Sequence, residues 1–433
     1  MKHRRSLLVM LVVLVACTSP APEPDRASGD GVKKGSAITL GTVSTGEAMK
    51  RLCRRPVVKG GPAPGGPPTL AAVVEVGSEV QQVRGLGLVH PIPVDAVTEA
   101  ELRRGFQQLT KQSLPQALYT RRSLAWETIG AVPEGTDLVK LFGQGGAGVV
   151  GYYVPQTGEL RFIGTSAPSP DQLVTLAHEL THAIDDQHFD LDGMEKSVGL
   201  CEDDQGLALQ SLVEGNATYF MGAWAVRNLS PIALFGVSLK AIEEPQGTVR
   251  GLPNFLKDGL FPYAAGLKFV QALIRRGGVG AVNEAFRHPP VSTEQILHPK
   301  KYPKDRPRLV DVPDYGPALG NGWKDLDVEE IGEEWLRSLL GLHLTDLSAE
   351  IAARGWDGGL YRAWSQGDNV AVVMTTVWDS QAEASEFAVR MRDWLEGDKP
   401  AEVLPVRGDL VTVVFASDEV VLSRLEDVIE ATS

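Results

Sequence analysis

The chain has 433 residues, 43% of them hydrophobic and 22% charged, which is enough apolar material for a sizeable core and excludes an intrinsically disordered protein. Its 42 Lys and Arg stand against 55 Asp and Glu, a net charge of -13, and no basic cluster follows the first five residues, so binding to nucleic-acid phosphates is disfavoured. Three cysteines exclude a disulfide-built miniature fold, and 46 Gly with 28 Pro show no triplet or solenoid period.

Lys2, Arg4 and Arg5 precede an apolar run from Leu7 to Ala16, too short to span a bilayer but of the length of a signal-peptide core, so residues 1–16 are expected to be removed. The run ends in Leu14-Val15-Ala16-Cys17, which looks like a bacterial lipobox; cleavage before Cys17 frees a thiol and an amine for acyl chains. No later segment reaches transmembrane length. The expectation is an exported protein held at a membrane of the bacterial cell envelope by its N-terminal lipid. Outside the cytoplasm Cys53 and Cys201 can pair, and closing so long a loop stabilises by about 4 to 5 kcal/mol; two separate buried thiols are the alternative.

Residues 17–68 read as the lipidated cysteine and a flexible tether, because 18–36 lack apolar periodicity and 60–68 (GGPAPGGPP) are a Pro/Gly run. The folded body is expected from Thr69, with one unit over 69–325 and a second over 326–433. Apolar spacing predicts helices over Thr98 to Gln112 and Leu114 to Ile129. Gly148 to Val154 and Glu159 to Gly164 flank a Pro155-Gln156-Thr157-Gly158 turn, a strand–turn–strand signal.

The next helix opens at Ser169, with Pro170 at its first position and Gln172 placed for a capping box. Leu173, Ala177, Leu180 and Ile184 form its core stripe, and His178 and His182 lie one turn apart on the other face, where both imidazoles reach one tetrahedral ion. Glu179 beside them can take a proton from metal-bound water and return it to a leaving nitrogen. The third ligand has two candidates. Glu214 sits in an apolar helical stretch with Leu212, Val213, Tyr219 and Phe220, where an ionised acid needs a compensating cation, and Gly215 would let its helix approach the first closely. His188 lies ten residues after His178, the metzincin spacing, with Asp185 at the position where that pattern turns on glycine.

His178-Glu179-Leu180-Thr181-His182 with Glu214 resembles the gluzincin-type, thermolysin-like zinc metallopeptidases. The stretches HELTHAIDDQHFDL, SLVEGNATYF and STEQILHPKKY are similar to a group of bacterial secreted or lipid-anchored peptidases over roughly 85–378. The resemblance implies a zincin-like domain with Zn2+ held by His178, His182 and Glu214 and with Glu179 as catalytic acid and base. One departure stands out: the family has an Asp four residues after the ligand Glu to orient a ligand His, and this chain has Thr218. Asp185 or Asp186 can take over that support. For the donor to a developing oxyanion the candidates are His298 and Tyr302, beside a capped short helix from Ser292 to Pro299.

In the tail, Asp327 with Glu330 is expected to start a helix, and Leu360 to Trp364 pairs with Val370 to Trp378 across Gly367-Asp368-Asn369. Ser380 with Glu383 caps a helix, Leu410 to Ala416 is a strand, and a last helix starts near Asp418. This α/β unit shows no ligand cluster, and packing or partner binding is expected of it. The chain thus reads as α+β, a zincin-like domain followed by an α/β domain. Its expected function is zinc-dependent hydrolysis of a peptide or protein aligned along a sheet edge. A lipid-anchored binding or assembly protein without turnover, or a zinc hydrolase of non-peptide bonds, are the alternatives.

Overall fold

The computed structural model describes residues 39–56, 71–143, 151–164, 167–243, 253–256, 259–395 and 399–432. The signal peptide, Cys17, the stretches 18–36 and 60–68, and the first three residues of the strand expected from Gly148 lie outside them. In chain order the helices are α1 (Thr45–Leu52), α2 (Ala71–Arg84), α3 (Glu99–Ser113), α4 (Gln116–Ile129), α5 (Leu138–Phe142), α6 (Pro170–Phe189), α7 (Leu191–Ser197), α8 (Asp203–Asn228), α9 (Pro231–Glu243), α10 (Phe261–Arg287), α11 (Thr293–Leu297), α12 (Gly316–Leu319), α13 (Glu333–Leu340), α14 (Asp346–Ala353), α15 (Gln381–Trp394) and α16 (Glu419–Thr432). The strands are β1 (Val94–Val97), β2 (Gly151–Val154), β3 (Glu159–Ile163), β4 (Lys324–Glu330), β5 (Trp356–Gln366), β6 (Asn369–Trp378), β7 (Ala401–Val403) and β8 (Leu410–Ala416). Helices beside two separate sheets make the protein α+β. Among the described residues no helix is long and apolar enough to cross a membrane.

The first sheet has the order β1-β3-β2, with β1 parallel and β2 antiparallel to β3. Helix α6 packs beneath it. Ser169 accepts from the Gln172 N–H while the Gln172 side chain accepts from the Ser169 N–H, the reciprocal cap that the sequence predicts. Ala177, Leu180 and Ile184 are buried against Val73, Val76 and Val80 of α2 and Leu160 and Phe162 of β3, leaving the histidine face turned towards α8. Helices α8 and α10 pack closely against each other. A Cβ on Gly215 would stand 2.1 Å from the Gly266 carbonyl carbon, and one on Gly266 would stand 2.0 Å from the Ser211 oxygen, so only glycine permits this crossing. Gly215 therefore does bring helices together, but the partner is α10 rather than α6.

The second sheet runs β4-β5-β6-β8-β7, antiparallel throughout. One face carries Tyr361, Val372, Met374 and Val413 against α13, α14 and α15; the other carries Leu360, Val373 and Val414 against α16. Helix α4 contributes Leu118 to one of these cores and Ala125, Trp126 and Ile129 to the other. The expected hairpin, capped helix, strand Leu410–Ala416 and last helix are all present.

Two segments differ from expectation. Residues 324–330 form β4, not a helix start, because Asp327 and Glu329 point inward and meet a buried arginine, Arg122, which precedes Asp327 by 205 residues. Arg122 lies 3.0 Å from Asp327, 3.5 Å from Glu329 and 2.9 Å from Asp203, while the Tyr361 hydroxyl donates to Asp327 and the Trp126 indole donates to Glu329. The helix starts only after Gly332. Residues 39–56, expected within the flexible tether, include α1, which has its own Ser44–Glu47 capping box and packs on β4 with Thr45 bonded to Asp311 and Val312. Cys53 is bonded to Cys201, 148 residues away, tying this segment to the start of α8; a closure of that length is worth about 5 kcal/mol of unfolded-chain entropy.

Candidate metal centre

His178 and His182 stand one turn apart on α6, their rings nearly perpendicular with centroids 4.6 Å apart. Their Nε2 atoms lie 3.0 Å from each other, and the Glu214 Oε2 from α8 lies 3.1 Å from His178 Nε2 and 3.6 Å from His182 Nε2. Bonds of about 2.0–2.1 Å in a tetrahedron place ligand atoms about 3.3 Å apart, so the three lone pairs already converge as a metal requires. These residues form the single group of its kind among the described residues and can hold a metal ion. Charge also suits a cation here: Arg84 is taken by Asp185, and among the described residues the buried Glu214 carboxylate has only the two imidazoles as ion-pair partners.

All four of His178, Glu179, His182 and Glu214 are at most 2% exposed. Burial pushes the Glu214 carboxyl up, but the His182 and His178 imidazoles outweigh it and hold the group at about 2. Burial takes Glu179 the other way, up to about 7; His178 opposes that rise, the Glu214 charge adds to it, and a hydrogen bond from the Tyr153 N–H opposes it again. That N–H belongs to β2 and donates to Glu179 Oε2 at 2.9 Å. With the order β1-β3-β2, the outward edge of the sheet faces the acid beside the ligands.

The residue that sequence reasoning missed is Tyr263, in the first turn of α10. Its ring stacks loosely on His178, the planes tilted by 28° and the centroids 6.2 Å apart. Its hydroxyl is buried without a hydrogen-bond partner of normal geometry, and burial, then the Glu214 and Glu179 charges, hold the phenol well above its usual range. The Gly215–Gly266 crossing explains the placement: Tyr263 is one turn before Gly266, and Glu214 adjoins Gly215. No local motif announces Tyr263, since only the crossing brings it to the histidines.

The other candidates fall elsewhere. His188 does not join the cluster, because α6 stays helical to Phe189 and the left-handed turn comes at Asp190 (φ 57°), not at Asp185; His188 Nε2 bonds the Gly87 carbonyl at 2.7 Å near the surface. His298 pairs with Glu333 at 2.9 Å, beside α13. Its helix α11 docks on the first turn of α8, where Asp204 accepts from the Thr293 N–H, and Glu214 is ten residues, about 15 Å of helix, further on. The Tyr302 hydroxyl donates to the His288 carbonyl at 2.6 Å, a packing role. Asp186 accepts from the Tyr153 hydroxyl at 2.6 Å and caps Leu191, whereas Asp185 is buried near His182. The Thr218 hydroxyl and His178 Nδ1 are buried and have no partner among the described residues.

Residues 323–428, from the start of β4 into α16, match a family described as a domain of unknown function (DUF8575), which includes none of the residues of the centre. No curated protein matches the chain. Among solved structures, one described as a putative hydrolase with a novel fold from Chloroflexus aurantiacus is similar at 17% identity and a TM-score of 0.36, covering 59% of this chain and 95% of that chain. A likeness of that degree carries no argument about function.

Proposed function

We propose that this protein is a zinc-dependent peptide-bond hydrolase with a zincin-like catalytic unit. The observation that carries the reading is the convergence of His178 Nε2, His182 Nε2 and Glu214 Oε2 to within 3.0–3.6 Å, with the Glu179 carboxylate in the next helical position. Two imidazoles and one carboxylate are the donor set of catalytic zinc, and the ion supplies Lewis acidity and an acidified water when bound. Glu179 takes a proton from the attacking water onto its carboxylate and passes it to the leaving nitrogen, and a carboxyl pushed up to about 7 by burial can do both. Tyr263, its ring against His178 and its hydroxyl within reach of the Glu214 and Glu179 charges, can donate to the oxygen that gains charge. We place an extended substrate backbone along β2, the edge strand beside Glu179; because β2 is buried and its Tyr153 N–H is bonded to Glu179, the edge must be uncovered before substrate can pair with it.

Attachment to the bacterial cell envelope through lipid on Cys17 is part of the same proposal, and the Cys53–Cys201 bond supports export to an oxidising compartment. The enclosure of all four polar groups favours a second reading, a structural metal site in an anchored protein without turnover.

Soluble protein from residue 37 onward should carry about one zinc per chain by elemental analysis and cleave members of an unbiased peptide library in a chelator-sensitive way. Glu179→Gln should keep the metal and lose at least about 100-fold in rate. Metal content near zero with chelator-insensitive cleavage would overturn the reading; bound metal without cleavage of any library member would establish the structural alternative.

A further inference from the structure

The two helices that carry the metal ligands are joined by a residue far from both in sequence. Arg84, the last residue of α2, is wholly buried. Its Nε donates to Asp185 Oδ1 at 2.7 Å and its Nη1 donates to Asn283 Oδ1 of α10 at 2.7 Å. The other Asp185 oxygen accepts from Asn216 Nδ2 at 2.5 Å. Asp185 is three residues after His182 on α6, and Asn216 is two residues after Glu214 on α8. The guanidinium lies over the Phe220 ring, 5.0 Å from its centroid, with Phe189 and Phe286 on its flanks at 5.8 and 5.9 Å. One cation thus gathers α2, α6, α8 and α10.

From this arrangement we infer that Arg84, Asp185 and Asn216 are positioning residues for the metal centre, fixing the register of α6 against α8 and thereby the approach of His182 to Glu214. The inference rests on the metal reading above. Apolar side chains along α6 bury area without direction, and the crossing angle of helices packed in that way scatters by about 15–20°. Metal–ligand distances tolerate only about 0.2 Å, so a rotation of that size would spoil the site. Hydrogen bonds to charged groups are short and directional, and here they leave from points within one turn of each ligand. A buried ion pair is also a weak source of net stability compared with apolar residues of similar volume, so its use at this place points to geometry rather than to fold stability.

Four variants of the soluble protein separate the two roles: Arg84→Met, Asp185→Leu, their double variant, and Asn216→Ala. Each is measured by thermal melting, by Co2+ affinity in titration, and by the visible d–d absorption of bound Co2+, which reports ligand geometry without any activity assay. Each single change at the ion pair should lower the melting temperature, because it leaves a buried charge unpaired. The double variant should melt near or above the unaltered protein, yet bind Co2+ 10- to 100-fold more weakly and with a shifted spectrum. Asn216→Ala, which leaves the ion pair intact but removes a buried hydrogen bond to Asp185, should melt lower than the unaltered protein yet remain folded, and show the same weakening. A double variant or Asn216→Ala variant with unaltered affinity and spectrum would overturn the inference and leave the metal reading standing. Unaltered protein that takes up neither Co2+ nor Zn2+ would overturn both.

Discussion

Gly215→Ala tests whether the α8–α10 crossing builds the site. The added methyl would sit 2.1 Å from the Gly266 carbonyl carbon and 2.4 Å from its oxygen. Ordinary carbon contact is about 3.5 Å, so the helices must part by about 1.4 Å, and both neighbours are backbone with no rotamer to yield. Overpacking of this kind costs about 3 kcal/mol, the upper end of its usual range, while the better helix propensity of Ala returns about 1 kcal/mol. The net is a loss of about 2 kcal/mol. Gly222, two turns on in the same helix, has nothing within 4 Å of its would-be Cβ, so Gly222→Ala should gain up to about 1 kcal/mol by propensity alone. The two substitutions share chemistry and helix and differ in sign. Denaturant unfolding followed by far-ultraviolet circular dichroism measures both. Because Tyr263 rides on α10 one turn before the crossing, Gly215→Ala should also lose on the order of 100-fold in catalytic rate. If Gly215→Ala proves as stable as Gly222→Ala, with rate unchanged, the crossing does not hold the site as argued.

Tyr263→Phe should melt close to the unaltered protein, since the buried hydroxyl it removes makes no hydrogen bond of normal geometry, and should lower kcat by about 100-fold at unchanged metal content; His298→Ala should leave kcat near its original value. An unchanged kcat for Tyr263→Phe would remove Tyr263 from the machinery. Glu214→Gln should release the metal in competition with a chelator while His188→Gln holds it, and the reverse order would contradict the geometry. Asp204 concerns pH. Burial pushes its carboxyl up to about 7 against the Thr293 hydrogen bonds, with Glu333 and Asp203 adding to the rise, so from its ordinary 3.8 upward the unfolded chain has released a proton that the fold still holds. Stability should therefore fall as pH rises through that window and level off above it, with Glu294, Glu329 and Glu330, each raised to about 8, adding the same sign. Asp204→Asn should flatten part of that slope, and an unchanged slope between about pH 4 and pH 8 would refute the assignment.

What the sequence determined is what local rules govern. The Ser169–Gln172 cap, the stripe Ala177, Leu180, Ile184 and the one-turn spacing of His178 and His182 follow from helix periodicity, and each stands where the sequence places it. The hairpin around Gly367 and the last helices follow from equally local turn and cap chemistry. Glu214 is legible as well, because an acid in an apolar helix must meet a cation, and its rival His188 is set aside only by the structure, in which α6 runs on to Phe189. Tertiary structure decided the rest. Asp327 with Glu330 looks like a helix start because Arg122, which Asp327 meets, is 205 residues away, and no local pattern distinguishes an acid facing a buried guanidinium from one facing water. Tyr263 and Arg84 join the centre only through helix crossings: the first by a glycine contact between α8 and α10, the second by hydrogen bonds that converge from four helices. Periodicity tells which face of a helix is buried, and contact between two faces depends on the angle at which their helices cross, which is fixed by packing in three dimensions.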